Sequence, residues 1–135
     1  MILFVDDEHK QLDPWVAALV NAGYRCYPVD NPDEAMEALR AHRSICGAVV
    51  DIMLPVGTMD FDLTDAGLRT GLALIEELQR IRPGLPVVVL SLRRDCMERI
   101  QALKAEFVSK TLDEPGDLLA AVQRLGMVPD GGAVQ

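Results

Sequence analysis

The chain has 135 residues, 50% of them hydrophobic, and a formal net charge of −8. That length suits one domain able to bury a core without staples, and the acidic balance argues against nucleic-acid binding, which rests on Lys and Arg meeting phosphates. No apolar run reaches the ~20 residues of a membrane span, and the opening Met1-Ile2-Leu3-Phe4-Val5-Asp6-Asp7 lacks the basic leader of a secretion signal. Cys26, Cys46 and Cys96 have no metal-type spacing, so reduced structural thiols in a cytoplasmic protein are expected.

Taken in order, apolar segments alternate with helical ones. The first strand is Ile2–Val5. A helix is expected from Asp13 to Ala22, with Pro14 in its first turn, Trp15, Val16, Leu19 and Val20 inward, and Gly23 as its stop. Tyr24–Val29 reads as the second strand. Asn31 then caps a second helix, with Pro32 at its first position and Ala35, Ala38 and Leu39 on its inner face. Ile45–Val50 is the third strand and ends at Asp51. A third helix spans Thr70 to Arg82, with Leu74, Ile75, Leu78 and Ile81 at helical spacing. Pro86–Leu90 is the fourth strand, Arg94–Ala105 the fourth helix and Glu106–Ser109 the fifth strand. A fifth helix begins near Asp113 and Pro115 and carries Leu118, Leu119, Val122 and Leu125. Unbroken runs such as Val87-Val88-Val89-Leu90 suit strands covered on both faces, as in a parallel sheet. The expectation is a doubly wound α/β domain over residues 1–126, with a flexible tail over 127–135.

In such folds the cleft lies beyond the carboxyl ends of the strands. Asp6, Asp7 and Glu8 follow the first strand, Asp51 the third, Ser91 the fourth and Lys110 the fifth. Clustered carboxylates repel one another and raise their pKa values. A hard cation such as Mg²⁺ relieves that repulsion and accepts oxygen ligands. A carboxylate beside it can attack a phosphoryl group, while an ammonium screens the charge in transfer.

The motifs Phe4-Val5-Asp6-Asp7-Glu8, Val49-Val50-Asp51-Ile52-Met53-Leu54-Pro55, Val89-Leu90-Ser91 and Phe107-Val108-Ser109-Lys110 together resemble the bacterial response-regulator receiver domain. The resemblance runs from Ile2 to about Leu125. It implies a flavodoxin-like five-stranded parallel sheet of order 2-1-3-4-5. It implies Asp51 as phosphoacceptor, and Asp6, Asp7, Asp51 and the Met53 backbone carbonyl as the site for Mg²⁺ or Mn²⁺. It implies Ser91 and Lys110 as phosphoryl-binding groups and Phe107 as an aromatic switch, although a plain core role for Phe107 stays open. The partners implied are a sensor histidine kinase or phosphotransfer protein, and a downstream protein or fused output domain, with a homodimer also open. No nucleic acid or membrane is expected. The domain would be a signalling switch rather than an enzyme, assisting its own phosphotransfer and autodephosphorylation.

Three features depart from the family pattern. Residues 57–68 form an inserted loop between the third strand and third helix, where Thr70-Gly71 takes the place of the usual Asp-Gly pair. Thr111 follows Lys110 where proline is usual. Leu92 follows Ser91 where small residues are usual. The first two favour a phosphorylation-independent interaction module as the alternative. A nucleotide or flavin enzyme is poorly supported, because no Gly-rich loop follows the first strand. An aspartyl phosphatase lacks its general acid, since Met53 stands where a second carboxylate would be needed. His9 and His42 are expected at the surface.

Overall fold

Side chains alternate across a strand, so an apolar run without polar breaks needs a cover on both faces. The computed structural model, which describes residues 1–7, 13–54, 70–92 and 96–130, has that arrangement. The strands are β1 (Ile2–Val5), β2 (Cys26–Val29), β3 (Gly47–Val50), β4 (Val87–Ser91) and β5 (Glu106–Ser109). They pair in parallel in the order β2-β1-β3-β4-β5. The helices between and after them are α1 (Asp13–Asn21), α2 (Pro32–Ala41), α3 (Thr70–Ile81), α4 (Met97–Ala102) and α5 (Pro115–Arg124). This is the flavodoxin-like receiver fold expected above.

The sheet divides the interior into two cores. Ile2, Phe4, Val49, Val88 and Leu90 face Trp15 and Leu19 of α1 and Leu118 and Val122 of α5. Leu3, Val5, Ala48, Val50, Val87 and Val89 face Ala35 and Leu39 of α2, Leu74 and Leu78 of α3, and Ile100 of α4. Each fully buried aliphatic side chain contributes about 1.5–3 kcal/mol of transfer free energy.

Local signals set most boundaries. The Asn31 side chain accepts from the Glu34 N–H at 2.9 Å, and Pro32 opens α2. Pro28 is tolerated in β2 because that strand lies at the sheet edge. Several expectations need correction. β2 begins at Cys26, because Tyr24 leaves the ladder and its hydroxyl donates to the Met127 carbonyl at 2.8 Å. β3 begins at Gly47 rather than Ile45, and β4 begins at Val87 and includes Ser91. Val20, expected inward, is 51% exposed. Its helix turns only one stripe to the sheet, and Trp15 and Leu19 occupy it. α4 ends by Ala102, and Lys104 takes a positive φ of 58° where the chain reverses into β5.

Met127, where a flexible tail is expected to begin, is buried, and Asp130 accepts from the Arg25 N–H at 2.9 Å and from the Met1 ammonium at 2.6 Å. Gly47 makes the room: a Cβ there would lie 2.4 Å from the Met127 sulfur. The inserted loop 57–68, Glu8 and His9 lie outside the described residues, as do 131–135. His42 is half-buried, its ring 4.9 Å from that of Tyr27. All three cysteines are free. Burial pushes the Cys26 thiol up to about 11.

Candidate functional site

The sheet hydrogen-bond ladder continues one residue past three strands and carries the chemistry-bearing residues with it. The Asp6 N–H donates to the Val29 carbonyl at 3.1 Å, the Asp51 N–H to Val5 at 3.0 Å and the Lys110 N–H to Ser91 at 3.0 Å. Strand order 2-1-3-4-5 therefore sets Asp6, Asp7, Asp51, Ser91 and Lys110 along one edge of the sheet. Asp7, Asp51, Ser91 and Lys110 line one cavity of about 180 Å³ together with Met53 and Leu92. That volume is several times the ~30 Å³ share of one water molecule. A larger concavity of about 490 Å³ between β2 and α2 brings Glu34, Glu37, His42 and Tyr27 together but gathers no carboxylate–ammonium cluster among its described lining residues.

Asp6 is 1% exposed and Asp51 8%, whereas Asp7 faces solvent. The Lys110 Nζ donates to Asp6 Oδ2 at 2.6 Å and to Asp51 Oδ2 at 3.0 Å. The other Asp51 oxygen accepts from the Met53 N–H at 3.3 Å. The Ser91 hydroxyl is near enough to the Asp51 carboxylate to favour its ionised form. Burial pushes the Asp51 carboxyl above its ordinary value; Lys110 opposes this and Asp6 adds to it. Burial pulls the Lys110 amine down, but its bonds and charge interactions with Asp6 and Asp51 outweigh that and leave it raised. Among the described residues, the cleft thus holds the three carboxylates of Asp6, Asp7 and Asp51 against the Lys110 ammonium.

One oxygen from each of Asp6, Asp7 and Asp51 can be chosen so that all lie within 4.8 Å of one another. The donors are hard oxygens in an electrostatically underneutralised cleft, and this set fits a divalent cation such as Mg²⁺. Met53 is exposed, two residues past Asp51 at the same mouth. Phe107 is half-buried and packs against the core on the α2–α4 side of the sheet.

Two supports were not legible as site residues. Gly71, foreseen only as part of a helix opening, lies against the Asp51 peptide. A Cβ there would fall 1.9 Å from the Asp51 carbonyl oxygen, and the Gly71 N–H donates to Ile52 at 2.7 Å. Ser109, fully buried, ties the turn after Lys110 back onto β5. Ser109 and Asp113, residue types whose side chains bond nearby backbone, are the signal that could have marked such a turn. No cis peptide bond occurs among the described residues, so Thr111 follows Lys110 through a trans bond, and the ammonium still reaches both carboxylates.

A family model described as the response regulator receiver domain matches residues 2–123. Among solved structures, the receiver domain of NtrX from Brucella abortus is 26% identical with a TM-score of 0.72, covering 93% of this chain and 97% of that one. A CheY-like receiver domain protein from Methanospirillum hungatei JF-1 is 23% identical with a TM-score of 0.72, covering 91% and 90%. The chemotaxis protein CheY4 of Vibrio cholerae is 20% identical with a TM-score of 0.73, covering 92% and 96%. The last two likenesses bear on the fold alone. A comparison with curated proteins returns no match.

Proposed function

The chain belongs to the response regulator receiver domain family, and from that premise we propose that it is a phosphorylation-dependent switch whose acceptor is Asp51. Receiver domains act in phosphorelay signalling and are not classical enzymes. The observation that carries the specific reading is the Lys110 ammonium bridging two buried carboxylates at the carboxyl edge of the sheet. Such a bridge orients the acceptor and favours its ionised form against the burial that opposes it.

In the transfer, an Asp51 carboxylate oxygen attacks the phosphorus of a phosphohistidine. The P–N bond breaks, its electron pair stays on the imidazole nitrogen, which takes up a proton, and an acyl phosphate remains on Asp51. Lys110 holds the carboxylate in place and neutralises charge on the transferring oxygens. Ser91 donates its hydroxyl to the attached group. Asp6, Asp7, Asp51 and the Met53 carbonyl would hold the divalent ion. When bound, that ion supplies positive charge to the phosphoryl oxygens. Phe107 would report the state by its position against the α2–α4 core. The receiver unit spans 1–126 with its insertion at 57–68, and its donor is a histidine kinase or phosphotransfer protein in the cytoplasm. Its output is a partner or a fused domain.

Intact mass after incubation with acetyl phosphate and Mg²⁺ tests this. The parent gains one phosphoryl group and Asp51→Asn gains none. A parent that stays unlabelled would favour the phosphorylation-independent interaction module instead.

A further inference from the structure

Lysine has a long stem with several rotatable bonds, so an ammonium aimed at two carboxylates needs a rigid base. Thr111 and Leu112, the two residues after Lys110, are exposed, and each brings an N–H that lies outside the sheet ladder. Both N–H groups donate to one acceptor, the Ser109 Oγ, at 3.2 Å from Thr111 and 3.1 Å from Leu112. The Thr111 hydroxyl shares a further hydrogen bond with the same oxygen at 3.1 Å. Asp113 closes the turn from the other side. Its Oδ2 accepts from the Ser109 N–H at 2.8 Å, and its own N–H donates to the Ser109 carbonyl at 3.1 Å. Ser109 itself is fully buried and pairs in register with Ser91 across β4 and β5.

We infer that Ser109, with Asp113, is a positioning residue for Lys110: the Ser109 hydroxyl and the Asp113 carboxylate knot residues 109–113 into a closed turn from which the Lys110 ammonium is held against Asp6 and Asp51. The inference rests on the phosphoacceptor reading of Asp51 and adds the part of the chain that aims its cation. Neither Ser109 nor Asp113 touches the transferring group. Their effect passes through the lysine.

The geometry has a direct consequence. Ser109→Ala leaves the turn with two N–H groups and no hydroxyl to receive them, so the backbone at Lys110 relaxes and the ammonium loses its aim. A displacement on the order of 1 Å at a reacting constellation lowers a rate by up to about a hundredfold. A loss of about tenfold in the rate of Asp51 phosphorylation is expected, because the lysine stem recovers part of the contact. Asp6, Asp7 and Asp51 follow other strands and keep their own backbone placement.

Four full-length proteins test it: the parent, Ser109→Ala, Lys110→Ala and the double variant. Phosphorylation by acetyl phosphate at saturating Mg²⁺ is followed by intact mass, and Mn²⁺ affinity is measured separately. The expected result is about tenfold slower labelling of Ser109→Ala with an Mn²⁺ dissociation constant within about twofold of the parent. Ser109→Ala should cause no further loss once Lys110 is already alanine, the non-additivity of residues acting as a unit. Losses that simply add, a rate within about twofold of the parent, or a parallel loss of Mn²⁺ affinity would each overturn the inference. A second readout needs neither metal nor phosphoryl group. The Lys110 ammonium protons should exchange faster in Ser109→Ala by NMR in metal-free protein, and unchanged exchange would also overturn it. If the parent takes no label, only the phosphoacceptor reading fails, and the NMR arm still decides the role of Ser109. Should Ser109→Ala not fold, Asp113→Ala removes the other half of the knot and is read the same way.

Discussion

Gly71 shows how one residue type can be forced by a contact rather than by a turn. Its N–H bonds the Ile52 carbonyl while its α-carbon lies where a Cβ would strike the Asp51 carbonyl oxygen at 1.9 Å. The struck atom is backbone, so the β3 end at Asp51 must shift. Gly71→Ala is expected to destabilise the fold by about 1–3 kcal/mol, the usual range for overpacking, and to slow labelling of Asp51. Gly116→Ala meets nothing within 4 Å and serves as its control in urea titrations. Leu92 poses the opposite problem, because it is 62% exposed and lines the cavity beside Asp51. Trimming it opens a path for water to an acyl phosphate on Asp51. Leu92→Ala should shorten the phosphoryl lifetime by about two- to tenfold, which is ~0.4–1.4 kcal/mol of barrier. Decay of the labelled mass after removal of the donor measures it, and an unchanged or longer lifetime would count against the access role.

At the scale of elements, one side chain ties two helices together. Arg82 follows α3, and its guanidinium donates to three backbone carbonyls at and beyond the end of α2: Leu39 at 3.0 Å, His42 at 3.2 Å and Ile45. Helix ends leave carbonyls without intrahelical partners, and a planar fork of donors suits several of them at once. Arg82→Ala is expected to lower stability by about 1–3 kcal/mol. Arg82→Lys should recover only part of that, since a single ammonium cannot span three separated oxygens. Denaturant midpoints distinguish the two, and full recovery by lysine would show that charge alone matters. Elements with strong local signals were readable in advance: the Asn31-Pro32 start of α2, and the β1 and β5 boundaries. The ends of β2 and α4 were not, because Tyr24 is drawn out of the ladder by Met127, and Lys104 reverses the chain in a conformation no local pattern announced.

Across the whole molecule, Asp130 joins the two ends of the chain. Burial pushes its carboxyl up, but the Arg25 N–H and the Met1 ammonium outweigh that and hold it below the ordinary value. A carboxyl depressed on folding contributes stability above its unfolded pKa and loses that contribution as pH falls through the folded one. The parent should therefore exceed Asp130→Asn by about 0.5–1 kcal/mol near neutral pH, the range of a solvent-screened pair. The gap should shrink as pH falls below about 4, where the unfolded carboxyl is about half protonated, and close once the folded carboxyl is protonated too. Thermal midpoints across pH 2.5–7 check this, and a gap that persisted in acid would assign the effect to shape rather than charge.

The sequence by itself determined the α/β class, the inward faces of α2 and α3, and the set of strand-end residues Asp6, Asp7, Asp51, Ser91 and Lys110. These follow from periodicity, caps and position relative to apolar runs, all of which are local in the chain. Tertiary structure alone decided that the Lys110 ammonium bridges Asp6 and Asp51, that Gly71 presses on the Asp51 peptide, that Ser109 gathers the turn after Lys110, and that Met127 packs against Gly47. Most of these contacts join residues far apart in the chain. They exist because strand order and register bring distant segments together, and neither can be read from any single segment.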